Sequence, residues 1–240
     1  MDERLAIEAL REVKKMLDKH GVTYWLDAGT LLGAVRDGKL IPWDNDIDLG
    51  TWYKDIDKII NVVENLRNKG FLVYFHLNFI SLCYKERDIT IDINTYHIDD
   101  GFAVWERFVN SSCMKLADAI TYLFGILLNP IPIGDIPYPV YKPMPHPLRE
   151  ILTKIAQMIS YPVRQRLMHI LERLAIKLGC RIIQVRIPLQ YFTSLFTIKF
   201  YGMKFKAPSP IEEYLIFRYG KDWRTPKKNY VYYEEDGAIV

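Results

Sequence analysis

The residues best suited to chemistry crowd into one stretch. Asp46 and Asp48 stand two apart in Ile41-Pro42-Trp43-Asp44-Asn45-Asp46-Ile47-Asp48, and Gly29-Thr30-Leu31-Leu32-Gly33-Ala34-Val35-Arg36 lies just ahead. On an extended strand, residues i and i+2 point the same way, so Asp46 and Asp48 share one face while Ile47 and Leu49 take the other. Adjacent carboxylates repel, and a divalent cation between them relieves the repulsion; their oxygens suit Mg2+ or Mn2+. Gly29 lacks a Cβ and lets backbone N–H groups approach a phosphate, and a helix starting near Thr30 adds its positive end. Cradle and acid pair together point to metal-assisted chemistry on a phosphate.

A third carboxylate would complete such a site. In Ile89-Thr90-Ile91-Asp92-Ile93-Asn94 the apolar residues alternate with polar ones, so Asp92 sits on the polar face of a half-buried strand. Asp88 has the same parity, and Asp99 and Asp100 are near in sequence. Arg36 reads either as a phosphate contact or as a surface residue, and Lys85 as a second phosphate contact. Asp27 reads as the N-cap of the helix that follows. Trp43 offers an indole to a base or to packing. His76, His97, His146 and His169 show no metal-ligand spacing.

The elements around these residues predict an α+β fold, a mixed sheet with helices over it. Residues 4–19 place Leu5, Ala9, Val13, Met16 and Leu17 on one helical stripe, with Gly21 as its stop. Strands are expected over 22–26 and 40–49, separated by the Asp27–Thr30 turn and a short helix to Arg36. A second amphipathic helix over 53–68 precedes three β-type runs at 71–75, 79–84 and 88–93. Residues 103–128 and 148–178 read as helical, with seven prolines between 129 and 147. A hairpin over 195–206, a helix over 210–219 and a polar, aromatic tail wrapping the surface close the chain. The expected organisation is a core over 1–102, a helical, Pro-interrupted insertion over 103–190, and a C-terminal part over 191–240 that packs back on the core.

Trp25-Leu26-Asp27-Ala28-Gly29-Thr30-Leu31-Leu32-Gly33-Ala34-Val35-Arg36 followed by Ile41-Pro42-Trp43-Asp44-Asn45-Asp46-Ile47-Asp48 resembles the signature of the LicD family. That family includes fukutin and the fukutin-related proteins and belongs to the nucleotidyltransferase-fold superfamily. Gly202, Pro208 and Glu213-Tyr214-Leu215, then Arg218-Tyr219-Gly220-Lys221-Asp222-Trp223 and Pro226, resemble its closing element. The resemblance implies a nucleotidyltransferase-like sheet and a site of Gly29, Thr30, Asp46, Asp48 and Asp92. It also implies transfer of a phospho-alcohol, such as phosphocholine or ribitol phosphate, from a CDP-linked donor to a glycan or glycolipid acceptor. Many members carry an unbroken acidic run where this chain has Asn45, which the strand parity turns away from the metal. Two rival readings are a true nucleotidyltransferase that releases pyrophosphate and a non-catalytic, membrane-associated scaffold.

Composition narrows the partners. The net charge of +3 and pI near 8.6 are too mild for a nucleic-acid binder. Cys83, Cys113 and Cys180 form neither a zinc pattern nor a disulfide framework, which favours a reducing, cytoplasmic setting. Asp2, Glu3 and Arg4 do not open a signal peptide. Ala119 to Gly134 is uncharged, but Asn129-Pro130 and Pro132 interrupt it before it could span a membrane. From Arg149 to Arg186, eight basic residues meet two glutamates among apolar stripes. Such a stretch suits either an ordinary helical subdomain or the anionic inner face of a membrane, the second matching a peripheral enzyme with a lipid-linked acceptor.

Overall fold

The computed structural model describes residues 1–75, 78–84, 89–109 and 181–240, with isolated positions between 154 and 177. The chain divides into two compact units: Met1–Val73, Asn78–Trp105 and Gln184–Val240 form one, Tyr74–Leu77 and Glu106–Ile183 the other. Lys85, Asp88 and most of the expected helical middle, with its basic stretch, lie outside the described residues.

Helix α1 (Glu3–Lys19) starts on Asp2, whose carboxylate accepts the N–H of Arg4 at 2.9 Å and of Leu5 at 3.2 Å. Its buried stripe is Ala6, Ala9, Leu10, Val13, Met16 and Leu17. Strand β1 (Tyr24–Leu26) runs directly into α2 (Ala28–Arg36), two residues before the expected start, by placing Ala28 at φ +40°. Strand β2 covers Asp46–Trp52 and not 40–49. Proline at 42 favours a turn, and residues 40–45 form a loop in which Asp44 N–H bonds Ile41 O at 3.0 Å. Helix α3 (Ile56–Arg67) leads to β3 (Phe71–Phe75), β4 (Phe79–Tyr84) and β5 (Ile89–Asp99).

Strand β5 is longer than the alternation at 88–93 suggested, and its turn makes a hairpin. Asp100 and Gly101 both take positive φ, +43° and +78°, the requirement of a tight two-residue turn, and Phe102 pairs with Asp99. Strand β6 (Phe102–Val109) therefore stands where helix was expected, and its aromatic and β-branched residues suit a strand. Strand β7 (Arg181–Pro188) also lies within the expected helical middle. Tyr201 and Gly202 repeat the same turn between β8 (Phe196–Phe200) and β9 (Met203–Ala207). Helix α4 (Ile211–Tyr219) follows Pro210.

The sheet is mixed, in the order β1-β2-β5-β4-β3, with β6 joined to β5 and β7. β2 and β5 are parallel, while β1 and β4 run antiparallel to their neighbours. On one face, the rows Leu26–Leu49–Ile93–Ile80 and Ile47–Ile91–Leu82 are at most 1 % exposed. Helix α1, itself packed on α3, lies against β5. The opposite face carries the polar residues Asp48, Asp92 and Ser81.

Candidate active site

Backbone register sets polar side chains in rows across the second face. Asp48 pairs with Asp92 in parallel register, Asp92 pairs with Ser81, and Asp27 N–H donates to Asp48 O at 3.1 Å. Asp27, just past the end of β1, and Asp48, Asp92 and Ser81 on three neighbouring strands thus lie in one line, about 5 Å apart. Asp46 lies in the next row, paired with Thr90, and Asn45 is exposed. On the other side, Trp25, Gly50 and Asn94 form a row, followed by Trp52 and Tyr96. Phe192 and Tyr214 pack over these rings, with Phe192 5.0 Å from Trp25 and 6.3 Å from Tyr214 between centroids. The face therefore has a covered aromatic half and an acidic half where Asp46 and Asp48 keep some exposure.

Gly29 and Thr30 also hold the local packing of the site. A Cβ at Gly29 would collide with Asp44 Oδ2, so the missing side chain makes room for that carboxylate. An anion at the start of α2 would meet Asp44 as well as the helix's positive end. Thr30 is 2 % exposed, and its Oγ1 accepts Asp48 N–H at 2.8 Å, pinning α2 to β2. Arg36 closes the far end of α2 and pairs with Asp37 at 2.7 Å, so the structure does not bring it into the acidic cluster.

Asp27 occupies the N-cap position but makes no side-chain cap bond. Its carboxylate turns inward, fully buried, to accept Tyr96 OH at 2.7 Å and Asn94 Nδ2 at 3.2 Å. Tyr214 OH is 3.5 Å away and Arg218 Nη1 3.8 Å. Arg218 is clamped by Asp236, from Nε at 2.8 Å to both oxygens and from Nη2 at 2.5 Å. The tail therefore enters the core: Trp223, Asp236 and Ala238 are at most 5 % exposed. Reading the tail as a surface wrap missed this because Arg218 and Asp236, 18 residues apart, have no local pattern that pairs them. Asn94 could have been found, since it follows Asp92 by two on the same strand face. Ser81 carries no such signal, yet its Oγ donates to Asp92 Oδ1 at 2.5 Å.

The charges are crowded. Burial, and then Asp46, Asp92, Asp27 and Asp44 in that order, push the Asp48 carboxyl well above the usual carboxylate range. Burial and then Asp46 push Asp44 up to about 6, against a backbone N–H of Asn45. Among the described residues, no three His, Cys, Asp or Glu side chains already form a closed metal-ligand cluster. The donor chemistry nonetheless fits a hard divalent cation. Asp46 and Asp48 share a strand face, Asp92 is the register partner of Asp48, and the repulsion on Asp48 is what a cation would relieve. No helix among the described residues is long and apolar enough to cross a membrane.

Residues 21–139 match the family model described as LicD/FKTN/FKRP, nucleotidyltransferase domain. Ribitol 5-phosphate transferase FKRP of Mus musculus and of Homo sapiens is 51% identical over 49 residues, 20% of this chain and 10% of each relative. Ribitol-5-phosphate transferase FKTN of Homo sapiens is 44% identical over 50 residues, 21% of this chain and 11% of that protein. The chain thus spans about a tenth of the length of these curated relatives. The solution structure of the antibiotic-resistance factor ANT(2'')-Ia aligns with a TM-score of 0.35 and 15% identity, over 73% of this chain and 96% of the other.

Proposed function

Because the chain belongs to the LicD/fukutin-related family, we propose that it moves a phospho-alcohol from a CDP-activated donor to a hydroxyl of a glycan or lipid-linked glycan, releasing CMP. The transferred group is phosphocholine-like or polyol-phosphate-like. The observation that carries this reading is the register of Asp48 with Asp92, with Asp46 beside them on the acidic half of the sheet face. The names of the relatives, ribitol-5-phosphate transferases, support phospho-alcohol transfer over other nucleotide chemistry.

In this reading Asp46 and Asp48 hold Mg2+ or Mn2+, and Asp92 completes the set. The cation, when bound, offsets negative charge on the donor phosphates. The first-turn N–H groups of α2 at Gly29 and Thr30 face the donor, because Asp27 leaves them without a side-chain cap. The acceptor oxygen bonds to the phosphorus bearing the alcohol. The bond from that phosphorus to the bridging oxygen breaks, CMP leaves with the electron pair, and the hydroxyl proton passes to a carboxylate of the cluster. Thr30 and Ser81 steady Asp48 and Asp92 through their hydroxyls.

The test supplies CDP-alcohols, Mn2+ and a glycan acceptor to the protein and to a variant with both Asp46→Ala and Asp48→Ala. Wild type should release CMP, and the double variant should be at least ~100-fold slower while remaining folded. Undiminished turnover in the double variant would end this reading. Pyrophosphate released from CTP, in place of CMP from a CDP-alcohol, would assign nucleotidyl transfer.

A further inference from the structure

We propose that Asn94 is a positioning residue for Asp48, and that the C-terminal segment sets its orientation through Arg218 and Asp27. The inference rests on the metal-site reading above and deepens it. Asn94 is 5 % exposed, and its Nδ2 lies 3.2 Å from Asp27 Oδ2 and 3.4 Å from Asp48 Oδ1. A side-chain amide nitrogen carries two hydrogens, so each acid can receive one. The opposite amide orientation would set a carbonyl oxygen against two carboxylates, so electrostatics alone decide which end faces them.

Asp27 cannot drift, because it is held on its other side. Tyr96 OH donates to the same Oδ2 that Asn94 meets, at 2.7 Å, and Arg218 stands 3.8 Å from Oδ1. Arg218 is fixed in turn by Asp236, and Asp236 Oδ1 accepts Ala238 N–H at 2.9 Å. The tail is stitched down by Gly237 N–H to Arg218 O at 2.9 Å and Val240 N–H to Gln184 O at 3.0 Å. A continuous chain of polar contacts therefore runs from the last residues of the protein to one oxygen of Asp48. A carboxylate held by one oxygen has less rotation left to lose when a cation arrives. Partners that orient a metal ligand in this way typically change metal affinity by about 10- to 100-fold when removed.

The experiment titrates Mn2+ calorimetrically into the full chain, without donor or acceptor, and follows folding by tryptophan fluorescence. Wild type should bind saturably. Asn94→Leu keeps the size and removes both donors, and Asn94→Thr keeps a strand-compatible side chain that cannot reach two acids. Both should bind Mn2+ about 10-fold more weakly or worse while melting cooperatively. Tyr96→Phe removes one of the contacts that steady Asp27, leaving Tyr214 and Arg218 in place, and should weaken Mn2+ by a few fold. Folded Asn94 variants within twofold of wild type would overturn the positioning role. Failure of both variants to fold would overturn it too, by assigning Asn94 to the fold. Unchanged affinity in Tyr96→Phe would remove the link through Asp27. A wild type that binds no Mn2+ would take away the metal reading itself, and the inference with it.

Discussion

Replacing Asp236 with alanine strands a buried guanidinium. Arg218 and Asp236 are each 5 % exposed, and the pair closes through contacts of 2.8, 2.8 and 2.5 Å. Burial, the largest single influence, would pull Arg218 down, but Asp236 with Tyr214 and Tyr219 together hold the guanidinium well above its ordinary value. Arginine cannot escape a lost partner by giving up its proton. Removing one side of a buried ion pair costs about 3–5 kcal/mol. Tyr214 OH, which takes a 2.8 Å bond from Nη1, and Asp27 at 3.8 Å keep part of the compensation. The expected loss is therefore near the lower end, ~3 kcal/mol. At roughly 2–4 °C per kcal/mol for a chain of this size, the melting temperature should fall by about 6–12 °C. Trp25, Trp43, Trp52, Trp105 and Trp223 all lie in the unit that contains the pair, so tryptophan fluorescence during urea or thermal unfolding reports that unit. Replacing both partners with apolar residues, Arg218→Met with Asp236→Leu, should cost less than Asp236→Ala alone. A loss below ~1 kcal/mol in Asp236→Ala, the scale of a surface pair, would refute the reasoning.

Two further outcomes follow from the sheet face. A Cβ at Gly50 would run into the Trp25 indole, the farthest of its three nearest ring atoms being 2.8 Å away, and that ring is fully buried among Trp52, Tyr96 and Phe192. Gly50→Ala should destabilise by about 1–3 kcal/mol in urea unfolding, and Trp25→Phe in the same chain should recover part of it; a neutral Gly50→Ala would contradict this packing. Asp48 titrates above the usual range when folded, so folding is favoured by its proton at low pH, and stability is lost as pH rises from about 4 through the folded value. In EDTA, Asp48→Asn should therefore be the more stable protein at pH 8, with the gap narrowing towards pH 5, and Mn2+ should stabilise only wild type. A gap that does not change with pH would argue against a strained Asp48.

Local rules carried far into this fold. The stripe of α1, the Gly21 stop and the hairpin at Tyr201-Gly202 depend on residues within a few positions of one another, so period and turn chemistry express them directly. The parity of Asp46 and Asp48 is equally local. The same signals misled where a non-local partner outweighed them. The helical reading of 103–128 fails at its start because Asp100-Gly101 is a tight turn that folds β6 back on β5. Asp27 looked like a cap because aspartate before a helix usually is one, yet two tyrosines, an asparagine and an arginine from distant segments draw its carboxylate inward.

By itself, the amino-acid order determined which acids could share a face, where the Asp27–Thr30 turn lies and which family signature joins them. Those properties reside in a strand repeat of two and in contiguous residues. Only the tertiary structure decided that Asp92 stands beside Asp48 and that Asn94 touches it. It also decided that the C-terminal tail reaches it through Arg218 and Asp27. Strand order and register are set by how the whole apolar face buries itself, and a buried charge is placed by distant partners, as Asp27 is by Tyr214, 187 residues away, so no short window of sequence contains either.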